Sequence, residues 1–193
     1  MLGSKLLLHM KPTLLLHSCC GPCSTAVIEK LLDDYTISVF YFNPCIYPQE
    51  EYIHRRDEQK RFLEELSAKV GYTIDFIDGD YQPETYYDLV KGLEGEPEGG
   101  ARCKVCFKQR LGAAANLAKE KGYEYFDTTL TVSPHKNYNI ISEIGKALEE
   151  EIGIKYLAGN YKKQDGYKRS IELSREYNLY RQNYCGCEFS KRD

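Results

Sequence analysis

A chain of 193 residues with a net charge of −3 suffices for one core, since a domain of this size buries roughly 70% of its unfolded surface. It has no net positive charge with which to coat nucleic acid, so any RNA contact must come from locally clustered basic side chains. No apolar run of about 18 residues offers a membrane span. The first ten residues, MLGSKLLLHM, hold an apolar patch too short for a signal-peptide core, so the expected location is cytoplasmic.

Thr13–His17 (TLLLH) is a short apolar run expected to form a first strand, and Pro22 opens a helical pattern through Leu32. Ile37–Phe42 (ISVFYF), β-branched and aromatic, reads as a second strand. A charged amphipathic helix over Glu50–Val70 stops before Gly71. Tyr72–Ile77 gives a third strand and Pro83–Lys91 a shorter helix. Gly92–Ala101, with four glycines and a proline, reads as the one long flexible loop. Lys104–Lys121 is helical up to Gly122, and Glu124–Thr128 and Ile154–Leu157 are strands on either side of a helix over Asn137–Glu151. Asp165–Tyr177 is a last helix, followed by an irregular tail over residues 178–193. Strands alternating with helices predict a single α/β domain over residues 1–193, a mostly parallel, five-stranded, doubly wound Rossmann-like sheet. Leu6–Met10 precedes a near copy of itself at Leu14–His17, so residues 1–10 read as an N-terminal extension.

Seven of the eight cysteines fall into three tight groups: Cys19, Cys20 and Cys23; Cys103 and Cys106; Cys185 and Cys187, with Cys45 apart. In a reducing cytosol such spacings indicate metal or redox chemistry rather than structural disulfides. In a doubly wound sheet, ligands sit beyond the carboxyl ends of the strands. That rule places Cys19–Cys23, which follows the first strand, and Cys103–Cys106 at the site, with the tail free to fold over it. Helix N-termini at the first two groups favour thiolates. There is no Walker phosphate loop.

Several readings compete. Cys20-Gly21-Pro22-Cys23 has the thioredoxin dithiol spacing, but a thioredoxin-like protein leaves Cys103 and Cys106 unexplained. A radical-SAM motif fails at Ala26, where its third thiol belongs. A zinc-stabilised RNA-binding module is the structural alternative. A cluster assembled from separate loops alone accounts for Cys103 and Cys106.

Six ordered segments identify a family resemblance: Leu14–Ser24, Tyr41–Arg55, Glu96–Leu111, Thr128–Asn137, Lys162–Ser170 and Leu179–Ser190. Together they resemble the QueH-type epoxyqueuosine reductases over about Lys11 to Ser190. The resemblance implies an adenine-nucleotide-hydrolase-like α/β fold, a [4Fe-4S] cluster with an adjacent mononuclear iron, and the last step of queuosine synthesis on tRNA. The substrate would be epoxyqueuosine in the anticodon loop, and the electrons would come from a donor the sequence does not name. The family has Asn-Pro-Asn-Ile-His-Pro where this chain has Asn43-Pro44-Cys45-Ile46-Tyr47-Pro48, so Cys45 is not expected to be a ligand. Cys19, Cys20, Cys103 and Cys106 are the expected core ligands of the iron, with Cys23 a further candidate. Cys185 and Cys187 are candidates for a redox pair or extra ligands.

Among other polar residues, His17 suits a packed histidine as well as a catalytic one. Ser133 is a candidate helix cap, while His135 and Lys136 at the same sheet edge can meet substrate. Asp80 and Asp127 are candidate acids or iron ligands, although turns and caps account for most such aspartates. Arg102, Arg110, Lys162, Lys163, Lys168, Arg169, Arg181, Lys191 and Arg192 are candidates for one basic face. Tyr161, Tyr167, Tyr180 and Tyr184 interleave with it, a pattern suited to stacking unpaired bases.

Overall fold

The computed structural model describes residues 11–191. The expected extension over residues 1–10, and Arg192 of the expected basic face, lie outside the described residues. In chain order the elements are β1 (Thr13–Ser18), α1 (Gly21–Leu31), β2 (Thr36–Tyr41), α2 (Gln49–Val70), β3 (Asp75–Asp78) and α3 (Pro83–Val90). There follow α4 (Ala101–Lys121), β4 (Tyr125–Thr128), α5 (Tyr138–Ile152), β5 (Lys155–Tyr156) and α6 (Gly166–Glu176). The strands form one sheet in the order β3-β2-β1-β4-β5, and every neighbouring pair is parallel. This is the Rossmann-like arrangement expected from the alternating pattern. The order reverses between β1 and β4, the crevice where such sheets bind ligands.

Central strands of a parallel sheet are covered on both faces. Leu14, Leu15 and Leu16 are accordingly all fully buried. Leu14 and Leu16 join Val27, Ile28 and Phe62 under α1 and α2. Leu15 joins Leu111, Ala114, Ala115, Phe126 and Leu148 under α4 and α5. The alanines of α4 are small enough to bring that helix close to the sheet.

Element ends follow local chemistry. Gly71, Gly122 and Gly153 close α2, α4 and α5 in the left-handed conformation, which a residue without Cβ adopts at least cost. Asn137, rather than Ser133, caps α5, its side chain accepting from the amides of Asn139 and Ile140. Three expectations need correction. β3 is shorter than Tyr72–Ile77, because only Asp75–Asp78 pairs with β2. α4 starts at Ala101, before the expected Lys104, so Cys103 lies in its first turn. The Gly92–Ala101 segment is a run of turns gripped by a buried cation, not a free loop. Arg102, 1% exposed, donates through Nη1 to the carbonyls of Leu93, Glu94 and Glu96 at 3.3, 2.6 and 2.5 Å.

Candidate metal centre and substrate cavity

β1 ends at Ser18, and Cys19 and Cys20 form the step into α1. Cys20 is the extended N-cap, and Pro22 in the first turn starts the helix without losing a backbone hydrogen bond. This short step carries three thiols whose sulfurs lie within 4.8 Å of one another, Cys19 and Cys20 being 3.7 Å apart. Hydrogen bonds from Cys20 and then Cys23 hold Cys19 well below the ordinary thiol value. The thiols that give those hydrogen bonds move the other way, Cys20 up to about 11 and Cys23 well above its ordinary value. The trio is a set of three mutually hydrogen-bonded sulfurs, a soft donor set suited to a thiophilic metal.

Cys19 and Cys23 face a cavity of about 510 Å³, floored by Ser133, His135 and Lys136 and walled by Tyr167, Arg181, Gln182, Tyr184, Cys185 and Lys191. A much smaller cavity of about 30 Å³ adjoins it and is lined by five thiols, Cys45, Cys103, Cys106, Cys185 and Cys187. Cys185, His135 and Lys136 line both. The expected ligands therefore divide: Cys19, Cys20 and Cys23 stand together, while Cys103 and Cys106 stand on the adjoining cavity. Cys45 had no expected role, yet it is buried there and its hydrogen bond to Cys106 lowers the Cys106 pKa. Cys185 is held down to about 5, first by Cys187 and then by Ser190, whose Oγ is 2.9 Å from its sulfur. Cys187 is pushed up by the same hydrogen bond to Cys185, and Tyr86 OH lies 3.1 Å from its sulfur.

The tail reaches this position because α2 holds it. Arg55 donates to the carbonyls of Cys185 and Tyr184 at 3.2 and 3.3 Å, and Tyr47 N donates to Gly186 O at 2.8 Å. Gly186 has φ +108°, and a Cβ there would lie 2.8 Å from Ile46 Cγ1, so the turn between the two thiols requires glycine. Arg55 itself is buried and paired with Glu51 at 2.7 Å.

A buried arginine and a half-buried lysine balance these thiols. Arg110, 3% exposed, donates to Asn43 Oδ1 at 2.5 Å, His17 Nε2 at 3.3 Å and Cys106 Sγ at 3.9 Å. Burial works against its charge, but the thiols of Cys45, Cys106 and Cys19 raise its pKa. The same holds for Lys136, where burial is outweighed by Cys19, Cys23 and Cys185. His17 is fully buried, with Nδ1 2.9 Å from Thr128 Oγ1. Burial first, and Arg110 second, lower its pKa to about 3. It is a neutral packed histidine, the plainer of its two readings.

The remaining candidates scatter. Asp127 is fully buried at the end of β4, outside both cavities, where it accepts from Thr128 N, Gly159 N and Tyr161 OH. Asp80 is exposed and lines neither cavity. The single basic face does not form as expected. Arg102 and Arg110 are interior, Arg169 pairs with Glu29 at 2.7 Å, and Lys162 Nζ donates to Lys136 O at 2.7 Å. Arg181 and Lys191 do line the large cavity, and Lys163 and Lys168 are exposed. Of the tyrosines, Tyr161 is core and Tyr180 stacks on His54 at 4.1 Å between ring centres. Only Tyr167 and Tyr184 of the four face the cavity. Gln182 and Asn183, which line the same cavity, escaped the sequence reading because isolated amides form no motif.

Fold and site define a Rossmann-like α/β protein with a metal-competent cysteine centre at the switch point of its sheet. Residues 14–193 match the family described as epoxyqueuosine reductase QueH. The chain is 44% identical over 181 residues to the epoxyqueuosine reductase QueH of Streptococcus pyogenes serotype M1, covering 94% of this chain and 71% of that one. It is 38% identical over 181 residues to the Thermotoga maritima protein of the same name, covering 92% and 90% of the two chains. A solved structure described as a predicted subunit of tRNA methyltransferase from Methanocaldococcus jannaschii shares the fold. It aligns with a TM-score of 0.52 at 17% identity, over 86% of this chain and 74% of that one. The chain belongs to the epoxyqueuosine reductase QueH family.

Proposed function

We propose that this chain reduces the epoxide of epoxyqueuosine in a tRNA anticodon loop to the alkene of queuosine. The observation that carries this reading, beside family membership, is the thiol trio whose Cys19 and Cys23 line a polar cavity of about 510 Å³. That volume suits a single extruded nucleoside, and an anticodon-loop base is already unpaired and readily splayed out.

Removing the epoxide oxygen as water takes two electrons and two protons. Cys19, Cys20 and Cys23, with Cys103 and Cys106 beside them, would hold the [4Fe-4S] cluster and a neighbouring iron. When bound, these would supply low-potential electrons and a Lewis-acidic position. The chain's own residues do the rest. Lys136 Nζ, held cationic by the surrounding thiols, is placed to deliver a proton into the cavity, and His135 beside it is a second carrier. Tyr167 and Tyr184 give faces for stacking, while Arg181 and Lys191 at the same cavity meet phosphate. Cys185 and Cys187 close the site from the tail and can form a redox pair or contribute ligands. An external electron donor must reach the thiol-lined side.

Anaerobic purification followed by iron, sulfide and zinc analysis, and by an assay with epoxyqueuosine-containing tRNA, tests the reading. Several irons with sulfide and formation of queuosine are expected. A colourless zinc protein, or one without metal, would overturn it.

A further inference from the structure

Glu98 is exposed and lines both cavities. The turns that carry it are fixed on either side. Arg102 grips the carbonyls of Leu93, Glu94 and Glu96, and Glu96 Oε2 accepts from Ala101 N at 3.0 Å. Gly99 N donates to Cys103 Sγ at 3.2 Å, and Gly100 N donates to Pro97 O at 3.0 Å. The carboxylate itself acts on the thiol-lined side. Burial first raises the Cys103 pKa, and the charges of Cys185 and then Glu98 raise it further. Among the described residues Glu98 belongs to no ion pair. It is also the one carboxylate among the lining residues, whereas Arg110, Lys136, Arg181 and Lys191 are cations. A negative charge in such a wall repels RNA phosphate. It therefore lowers affinity for tRNA unless the bound nucleoside brings a positive charge to meet it.

We infer that Glu98 is a specificity-determining residue that recognises the secondary ammonium of the epoxyqueuosine side chain. This rests on the proposed reductase reading and deepens it. The side chain of a queuosine-type nucleoside is joined to the base through an alkylamine, which carries a positive charge at neutral pH. Guanosine at the same position has no such cation. A carboxylate at the junction of the two cavities therefore attracts the modified nucleoside and disfavours the unmodified one, and the charge-assisted hydrogen bond it accepts is of the strong kind. The amine lies between the base and the epoxide ring, so gripping it also orients the ring that reacts.

Glu98→Gln keeps an acceptor of similar size and removes the charge. Dissociation constants are measured anaerobically with the loaded protein and no electron donor. The two probes are tRNA carrying epoxyqueuosine and the same tRNA with guanosine in its place. Glu98→Gln is expected to bind the epoxyqueuosine tRNA about tenfold more weakly than the parent, which is about 1.4 kcal/mol. It is expected to bind the guanosine tRNA as tightly as the parent or more so, because a charge that repels phosphate is gone. Iron content is expected to stay parental. Equal losses with both tRNAs, or no loss with the modified one, overturn the inference. Loss of iron also overturns it, by making Glu98 a ligand. In each of these cases a parent that still makes queuosine keeps the functional reading intact. A parent that binds no iron, or leaves the epoxide unreduced, overturns both.

Discussion

The two thiol groups are built in opposite ways. Cys19, Cys20 and Cys23 ride on one strand end and the helix that follows it, so their spacing is fixed by local backbone. The five thiols of the smaller cavity come from the loop after β2, the head of α4 and the tail. Cys185 and Cys187 join the other three because the tail is fastened to α2. The first group is set by local backbone, whereas the second is a product of tertiary folding, so a metal held there would couple its binding to stability.

That contrast can be broken most decisively at the cysteines. Cys19→Ser should lose both iron and activity without unfolding the protein. Cys103→Ser should lose iron while the trio stays in place, whereas Cys45→Asn should keep both iron and activity. Iron and sulfide analysis of the three purified variants, with circular dichroism as a check on folding, decides between them. Full iron in Cys103→Ser would remove it from the ligands.

A smaller effect is expected at Arg110, which ties β1, the segment after β2 and α4 together. Arg110→Met strips charged hydrogen bonds from buried Asn43 and His17, at a cost of about 3 kcal/mol. For a domain of this size that lowers Tm by roughly 10 °C, measurable by thermal melts of the metal-free protein. A melting temperature within a degree of the parent would show that the guanidinium is dispensable to the fold.

Asp127 sharpens the comparison from the side of the scaffold. Burial outweighs its three donors, Tyr161 first, and lifts its pKa from 3.8 to about 7. Between those values the folded protein holds a proton that the unfolded chain has released, so this group makes stability fall as the pH rises through that window. Asp127→Asn should flatten that slope in denaturant titrations between about pH 4 and 7 and leave iron content alone. A slope that persists in the variant would assign it to other groups.

The least effect is expected at Lys162 and Lys163, which lie outside the cavity lining. Lys162→Glu/Lys163→Glu should weaken tRNA binding and reduce the log–log salt slope by close to one unit per lost phosphate contact, with the absorption spectrum unchanged. Lys162 is already hydrogen-bonded to Lys136 O, so Lys163 should account for most of the change. A parental salt slope would send the search to Arg181 and Lys191.

The order of elements was legible because β-branched runs and glycine stops act locally. Gly71, Gly122 and Gly153 stand where α2, α4 and α5 end. The trio was legible for the same reason, a motif directly after an apolar strand. What sequence could not convey were pairings across the fold. Arg55, Arg102 and Arg110 look like surface charge until carbonyls, a carboxylate, an amide and a thiol from distant segments enclose them. Cys45 has no neighbouring cysteine to announce it, and only the packing of the loop after β2 against α4 brings it to Cys106. Gln182 is one amide in an irregular tail, and its hydrogen bond to Cys20 depends on where that tail runs.

Arg55 holds the tail by two main-chain carbonyls, those of Tyr184 and Cys185. Every amino acid presents the same carbonyl, so these two hydrogen bonds do not depend on side-chain identity, while the Tyr184 ring 5.1 Å from the guanidinium and the glycine at 186 are the parts of the clamp that do. The route of the tail is therefore separable from its cargo. The side chain at 185 can be changed without loosening these hydrogen bonds, because the path over the site is kept by a helix that lies outside the cavity lining.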